Sequence, residues 1–298
     1  MAKLKANGLE FEYDIHGDAG AEPLLLIMGL GAQMTRWSPD FVRGLVDRGF
    51  RVIRYDNRDV GLSEKVDAAG APDLVAIFSA LSEGRPAVAP YSLNDMADDA
   101  AGVLDALEIE RAHIVGASMG GMIAQLVAIN HAPRTRSLTS IMSTTGHPDL
   151  PRATPEAMAR LTTPAPNPAD DMEAYIAHFI ASARVLGSPD HPQTEDKMRQ
   201  EAIANVERSY YPIGFMRQYA AIASSPHRRD LLAKVTAPTV VIHGVADPLV
   251  PVEGGRDTAR SIPGAVMVEL PGMGHDIPVP LYGPVWDAIS AVAARARS

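Results

Sequence analysis

Short apolar runs alternate along this chain with stretches of helical spacing, and that alternation leaves few folds open. Residues 24–28, "RVIRYD" (51–56), "AHIVGA" (112–117), "SLTSIMST" (137–144), "TVVIHGV" (239–245) and "VMVELPG" (266–272) have the length and apolar content of strands. Between and after them, residues 37–48, 91–107, 120–130, 253–261 and 284–296 carry helical patterns. In 91–107, Leu93, Met96, Ala97, Ala100, Val103, Leu104 and Leu107 share one face. Strands that are apolar almost throughout are buried on both sides, as in a parallel sheet covered by helices. "KLKA" and "LEFEYDI" flank Asn7-Gly8, a pair suited to a tight turn with positive φ, so a hairpin adds an antiparallel edge. The expected fold is α/β, a mostly parallel eight-stranded sheet flanked by helices.

One region breaks the rhythm. Residues 146–229 hold no strand pattern, only the Pro-rich "TTPAPNP" (162–168) and helical patterns at 171–185, 193–210 and 212–223. The predicted organisation is a core of residues 1–145 and 230–298, with 146–229 inserted as a helical cap. Residues 66–90, rich in Ala, Gly and Pro, form a second, smaller interruption.

Composition narrows the chemistry. The chain has no cysteine, which excludes disulfides, thiolate metal sites and a cysteine nucleophile. Its net charge is −9, with no cluster of Lys or Arg, so nucleic acid is not an expected partner. The longest apolar run, "PLLLIMGLGA", is too short to cross a bilayer, and "MAKLKANGLEFEYDIHG" lacks the apolar centre of a signal peptide. A cytoplasmic protein without a membrane partner is the expectation.

"GASMG" (116–120) lies where a strand pattern gives way to a helix pattern, the context that makes G-x-S-x-G informative. Gly116 and Gly120 remove Cβ atoms that would collide in a strained turn and leave Ser118 aimed out of the C-terminal edge of the sheet. The bland alternative is a small-residue turn that lets a helix pack closely. A serine needs a base, and the base an orienting acid. Asp247 follows the strand "TVVIHG", and His275 follows "VMVELPG". Three strand-end loops thus supply Ser, Asp and His in the order this type of site uses. Asp247 could instead begin a turn with Pro248, and His275 could cap or pack. Asp276 is a rival carboxylate, but adjacency to His275 gives it poor geometry for bonding the ring.

An oxyanion hole would take the backbone N–H of Met119 and, from the loop after the first apolar strand, that of Leu30 beyond Gly29. Asp56 and Arg58 of "DNRDVGLS" are expected to brace the loop beside the oxyanion turn by charge-assisted hydrogen bonds. His243, inside a strand, reads as a satisfied core residue, as His113 and His131 read as structural. No His pair has the i, i+4 spacing of a helical metal site, and "GLGAQ" lacks the third glycine of a dinucleotide fingerprint, so neither metal nor cofactor is expected.

"LLLIMGLG", "RYDNRDVGLS", "HIVGASMGGMIAQ", "VIHGVADPLVP" and "LPGMGHDIP" together resemble the α/β-hydrolase-fold serine hydrolases over essentially the full chain. Members commonly carry His-Gly at the oxyanion loop, where this chain has Met28-Gly29. It shares that departure with the aclacinomycin methylesterase type, whose early "RYD" segment and late "PGMGH" it also resembles. The resemblance implies a cofactor-free serine hydrolase acting on a carboxylic ester through Ser118, His275 and Asp247. A C–C bond hydrolase, a lactonase or a perhydrolase would share these loops, and a non-catalytic ligand-binding protein could share the fold. In the insertion, Met172, Tyr175, Phe179, Met198, Tyr210, Tyr211, Phe215, Met216 and Tyr219 read as helix core or as the roof of a pocket for an apolar substrate moiety. Oligomeric state has no signature in the sequence.

Overall fold

The computed structural model describes residues 2–297; Met1 and Ser298, the outermost positions of the predicted core, lie outside the described residues. Eight strands follow in chain order: β1 (Ala2–Ala6), β2 (Leu9–His16), β3 (Glu22–Ile27), β4 (Phe50–Tyr55), β5 (Ala112–Ala117), β6 (Thr135–Ile141), β7 (Thr239–Gly244) and β8 (Val266–Leu270). They form one sheet in the order β1-β2-β4-β3-β5-β6-β7-β8. The β1–β2 and β2–β4 pairs are antiparallel and every other pair is parallel. Asn7 and Gly8 both adopt positive φ (46° and 79°), the geometry that a two-residue hairpin needs to match strand twist.

The helices are α1 (Pro39–Val46), α2 (Leu74–Ser82), α3 (Leu93–Ala106), α4 (Met119–Asn130), α5 (Pro155–Thr162), α6 (Met172–Leu186), α7 (Glu195–Arg208), α8 (Pro212–Ala223), α9 (Arg229–Leu232), α10 (Val252–Ser261) and α11 (Tyr282–Arg295). The double-sided burial of β3 explains its unbroken apolar run. Leu24 and Leu26 join a layer with Phe41, Leu45, Val285 and Ile289, while Leu25 and Ile27 join the opposite layer with Met96, Val103, Ile123 and Val127. These four side chains of β3 are fully buried, and each contributes about 1.5–3 kcal/mol of hydrophobic free energy.

Helix ends differ from the sequence expectation where capping side chains decide them. α3 begins at Leu93 because Ser92 and Asp95 form a reciprocal capping box: Ser92 Oγ accepts the Asp95 N–H at 3.2 Å and Asp95 Oδ2 accepts the Ser92 N–H at 2.7 Å. α1 begins at Pro39 behind Ser38, whose Oγ accepts the Phe41 N–H at 3.1 Å. Three helices, α2, α5 and the short α9, lie outside the stretches of helical spacing. α2 lies inside the 66–90 interruption, N-capped by Asp73, with Val75 and Phe78 exposed and Ile77 and Ala80 buried. α5 precedes the Pro-rich stretch and is capped by Thr154. Between β6 and β7 lie helices α5–α9 and the loops that join them, and α6 and α7 carry a small core of their own around Ile176, Ile180, Met198 and Ala202.

Candidate active site

β5 delivers the chain to Ser118 in an unusual conformation. Ser118 has φ 56° and ψ −120°, a region that costs a non-glycine residue about 1–3 kcal/mol. Its surroundings hold it there. The Ser118 N–H donates to the Ile141 carbonyl at 2.9 Å, and the Ser118 carbonyl accepts the Gly121 and Met122 N–H groups as α4 begins. A Cβ on Gly116 would lie 1.9 Å from the Gly120 carbonyl oxygen, and one on Gly120 would lie 2.1 Å from that of Ile27. Both glycines are therefore required by close backbone approach.

The loops after β7 and β8 are stitched together before their side chains meet. Val245 N–H donates to the Leu270 carbonyl and Ala246 N–H to the Met273 carbonyl, each at 3.0 Å. Across this seam His275 Nδ1–H donates to Asp247 Oδ2 at 2.7 Å, and His275 Nε2 lies 3.0 Å from Ser118 Oγ. Because an ionised carboxylate only accepts, the Nδ1 proton is fixed and Nε2 is left with a lone pair for the Ser118 hydroxyl proton. The other oxygen of Asp247 accepts the Leu249 and Val250 N–H groups, both at 2.9 Å. Burial pushes the Asp247 carboxyl up, but His275, His243 and the Val250 N–H together outweigh it and hold the group well below the usual carboxylate range.

The chain segment 28–34 runs beside the serine: a Cβ on Gly29 would stand 3.2 Å from Ser118 Cβ. Asn57 Nδ2 donates to the Met28 carbonyl at 2.9 Å, and Asp56 Oδ1 accepts the Met34 N–H at 2.7 Å. Asp56 also accepts the Leu62 N–H and pairs with Arg208 at 2.7 Å. Asp56 thus braces this loop. The Arg58 side chain instead fastens its own loop, 56–63, to α3. Its guanidinium pairs with the buried Asp99 carboxylate on α3 through two 2.6 Å bonds and lies over the Tyr91 ring. Only the Arg58 backbone carbonyl, through Gln218, is linked to segment 28–34.

Three further contributors escaped the sequence reading. His243 Nε2–H donates to the Val250 carbonyl at 2.7 Å and sits 3.6 Å from Asp247 Oδ2, so this strand residue supports the acid. Ser188, just past α6, accepts the Gly274 N–H at 3.0 Å and bonds Asp276, while the Leu186 carbonyl accepts the His275 N–H at 2.7 Å. Gln218 of α8 accepts the Gly31 N–H at 2.8 Å. Ser188 and Gln218 carry no local signal, because each acts across a long sequence separation, whereas His243 lies only four residues before Asp247. Asp276 is occupied by Ser188, away from the His275 ring.

A cavity of about 1110 Å³ opens onto Leu30 and His275. Tyr175, Phe179, Tyr210, Tyr211, Phe215 and Tyr219 line it, so the whole aromatic set singled out in the insertion faces a void, and Phe78 of α2 adds a ring. Met172 packs instead against the small core of α6 and α7. Among the described residues, no group of three or more His, Asp or Glu side chains is placed to hold a metal ion, and no helix is long and apolar enough to cross a membrane.

A family model described as the α/β hydrolase fold matches residues 22–279. Rhodomycin D methylesterase DauP of Streptomyces sp. (strain C5) is 30% identical over 297 residues, covering 92% of each chain. The 2-hydroxymuconate semialdehyde hydrolase of Pseudomonas sp. (strain CF600) is 29% identical, covering 88% of this chain and 83% of that one. Among solved structures, the meta-cleavage product hydrolase CumD of Pseudomonas fluorescens IP01 superposes with a TM-score of 0.77 at 18% identity, over 99% of this chain and 98% of that one.

Proposed function

This chain belongs to the α/β hydrolase fold family, and from that premise we propose that it is a carboxylic ester hydrolase working through an acyl-enzyme on Ser118. The observation that carries the reading is the continuous relay from Ser118 Oγ through His275 to Asp247, with separations of 3.0 and 2.7 Å. His275 Nε2 takes the hydroxyl proton as Oγ attacks the ester carbonyl. Asp247 holds the ring tautomer and stabilises the imidazolium. The Leu30 and Met119 N–H groups receive the oxyanion, where losing one donor costs about 3–4 kcal/mol of barrier. His275 then gives its proton to the leaving alcohol, and a water activated by the same nitrogen releases the acid. Neither metal nor cofactor takes part.

Helices α5–α8, within the inserted segment 146–229, act as the cap over this site. The aromatic lining and the 1110 Å³ volume suit a bulky, flat acyl group. The methylesterase named above supports a small alcohol on the other side of the ester. A C–C bond hydrolase is the second reading, favoured by the semialdehyde hydrolase at 29% identity.

Matched aryl methyl esters and dienone substrates separate the two. Ser118→Ala tests the shared mechanism: turnover is lost while circular dichroism and thermal midpoint stay native. Intact mass after treatment with a fluorophosphonate shows one adduct on the native chain and none on the variant. A folded native chain that takes no label supports a ligand-binding protein instead.

A further inference from the structure

Gln218 is fully buried on α8, and although its neighbours Phe215, Met216 and Tyr219 line the cavity, it does not. A buried primary amide is costly unless its polar atoms are bonded, so its partners indicate why it is there. Oε1 accepts the Gly31 N–H at 2.8 Å and Nε2 donates to the Arg58 carbonyl at 2.8 Å. One inserted helix therefore ties together the loop after β3 and the loop after β4.

The geometry around Leu30 gives that tie a consequence. Each peptide unit is planar, so holding one polar atom of it restricts the whole plane. The 28–29 peptide is held at its carbonyl by Asn57 Nδ2 at 2.9 Å. The 30–31 peptide is held at its N–H by Gln218. Between them stands the 29–30 peptide, whose N–H is the Leu30 donor and whose carbonyl accepts the Ala32 N–H at 3.2 Å. Phe215, three residues before Gln218 on α8, closes the other side: a Cβ on Gly31, which has φ +65°, would stand 2.7 Å from its ring. α8 cannot slide over this loop freely. Arg217 anchors it further through a buried 2.7 Å pair with Asp59, and Gly214 lies against the Asp59 carbonyl.

We infer that Gln218 is a positioning residue for transition-state stabilisation, and that α8 is part of the oxyanion scaffold as well as of the cavity wall. The inference rests on the ester-hydrolase reading. Pre-aligned donors are most effective where charge develops and do little for the neutral ground state. Loss of the Gly31 anchor therefore falls on kcat and spares KM.

The test uses the full chain and two variants. Gln218→Met keeps the length of the side chain and removes both bonds. Its expected kcat on an aryl methyl ester is about ten- to a hundredfold lower, the range typical of lost supporting contacts, with KM within about twofold. A trifluoromethyl ketone, which forms a tetrahedral adduct, binds weaker by the same factor, while the matching methyl ketone binds as before. Gln218→Glu keeps the acceptor for Gly31 but turns a carboxylate oxygen toward the Arg58 carbonyl. Its protonated form restores the donor, so its kcat relative to the native chain at each pH rises as pH falls.

A native kcat in folded Gln218→Met, or equal weakening of both ketones, overturns the inference. Should Gln218→Met fail to fold, the Gln218→Glu ratio decides: a rise toward acid upholds the inference and a flat ratio overturns it. Turnover retained in Ser118→Ala would instead overturn the underlying hydrolase reading, so the two failures are distinguishable.

Discussion

Asp247→Asn changes two atoms' charge and hydrogens and nothing of their size, and the structure dictates how the new amide must sit. Asp247 Oδ1 accepts two backbone N–H groups, from Leu249 and Val250, both at 2.9 Å. An amide NH₂ placed there would face two donors and leave both unsatisfied, at about 1–3 kcal/mol for each. The amide oxygen therefore keeps that position, and the NH₂ turns to the Oδ2 position, 2.7 Å from His275 Nδ1. It can only donate there. His275 must then accept at Nδ1 and carry its proton on Nε2, pointing at Ser118 Oγ, so no lone pair remains for the hydroxyl proton. A reversed tautomer of this kind costs about 10⁴-fold in kcat, or about 5.5 kcal/mol of barrier. The assay is kcat on a chromogenic ester at pH 7–8, with ¹⁵N NMR of His275 reporting the tautomer and thermal melting confirming the fold. A folded variant losing less than about a hundredfold, or keeping the Nδ1–H tautomer, would refute the reasoning. Since Asp247 ionises well below the usual carboxylate range, the acid limb of the native pH–rate profile should not report this group.

Two other perturbations test the frame around the site. A methyl on Gly120 would stand 2.1 Å from the Ile27 carbonyl oxygen, which belongs to a central strand and cannot yield, so Gly120→Ala should lose about 3 kcal/mol in urea unfolding. His113, buried with Nδ1 2.8 Å from Ser137 Oγ, has its pKa pushed down to about 4 by burial. As pH falls through about 6.5 the unfolded chain takes up a proton that the folded chain refuses until about 4. Stability is therefore complete above that window and declines within it, by about 3 kcal/mol from this group. His113→Gln should flatten that part of the stability–pH curve, and an unchanged slope between pH 7 and 4 would contradict the assignment.

The parts of this site that sequence reasoning reached are those governed by local rules. A strand followed by a tight turn and a helix needs small residues on both sides of Ser118, so "GASMG" is written into a few consecutive positions. The loops after β7 and β8 end their strands with Asp247 and His275 close behind. What escaped were partners brought together by packing. Gln218 meets Gly31 across 187 positions, and nothing in the pattern of α8 separates it from a surface polar residue. Arg58 pairs with Asp99 because α3 arrives with a buried carboxylate, a fact decided by how α3 lies on the sheet.

By itself the sequence determined the alternation of strand and helix, the order of strand-end loops and the identities of the residues those loops carry, because periodicity and turn chemistry act over a few neighbouring residues. Only the tertiary structure decided the 3.0 and 2.7 Å separations between Ser118, His275 and Asp247, the choice of partners for Arg58 and Gln218, and which aromatic rings face the cavity. Those depend on how elements far apart in the chain pack, and packing is settled by the burial of all their faces at once.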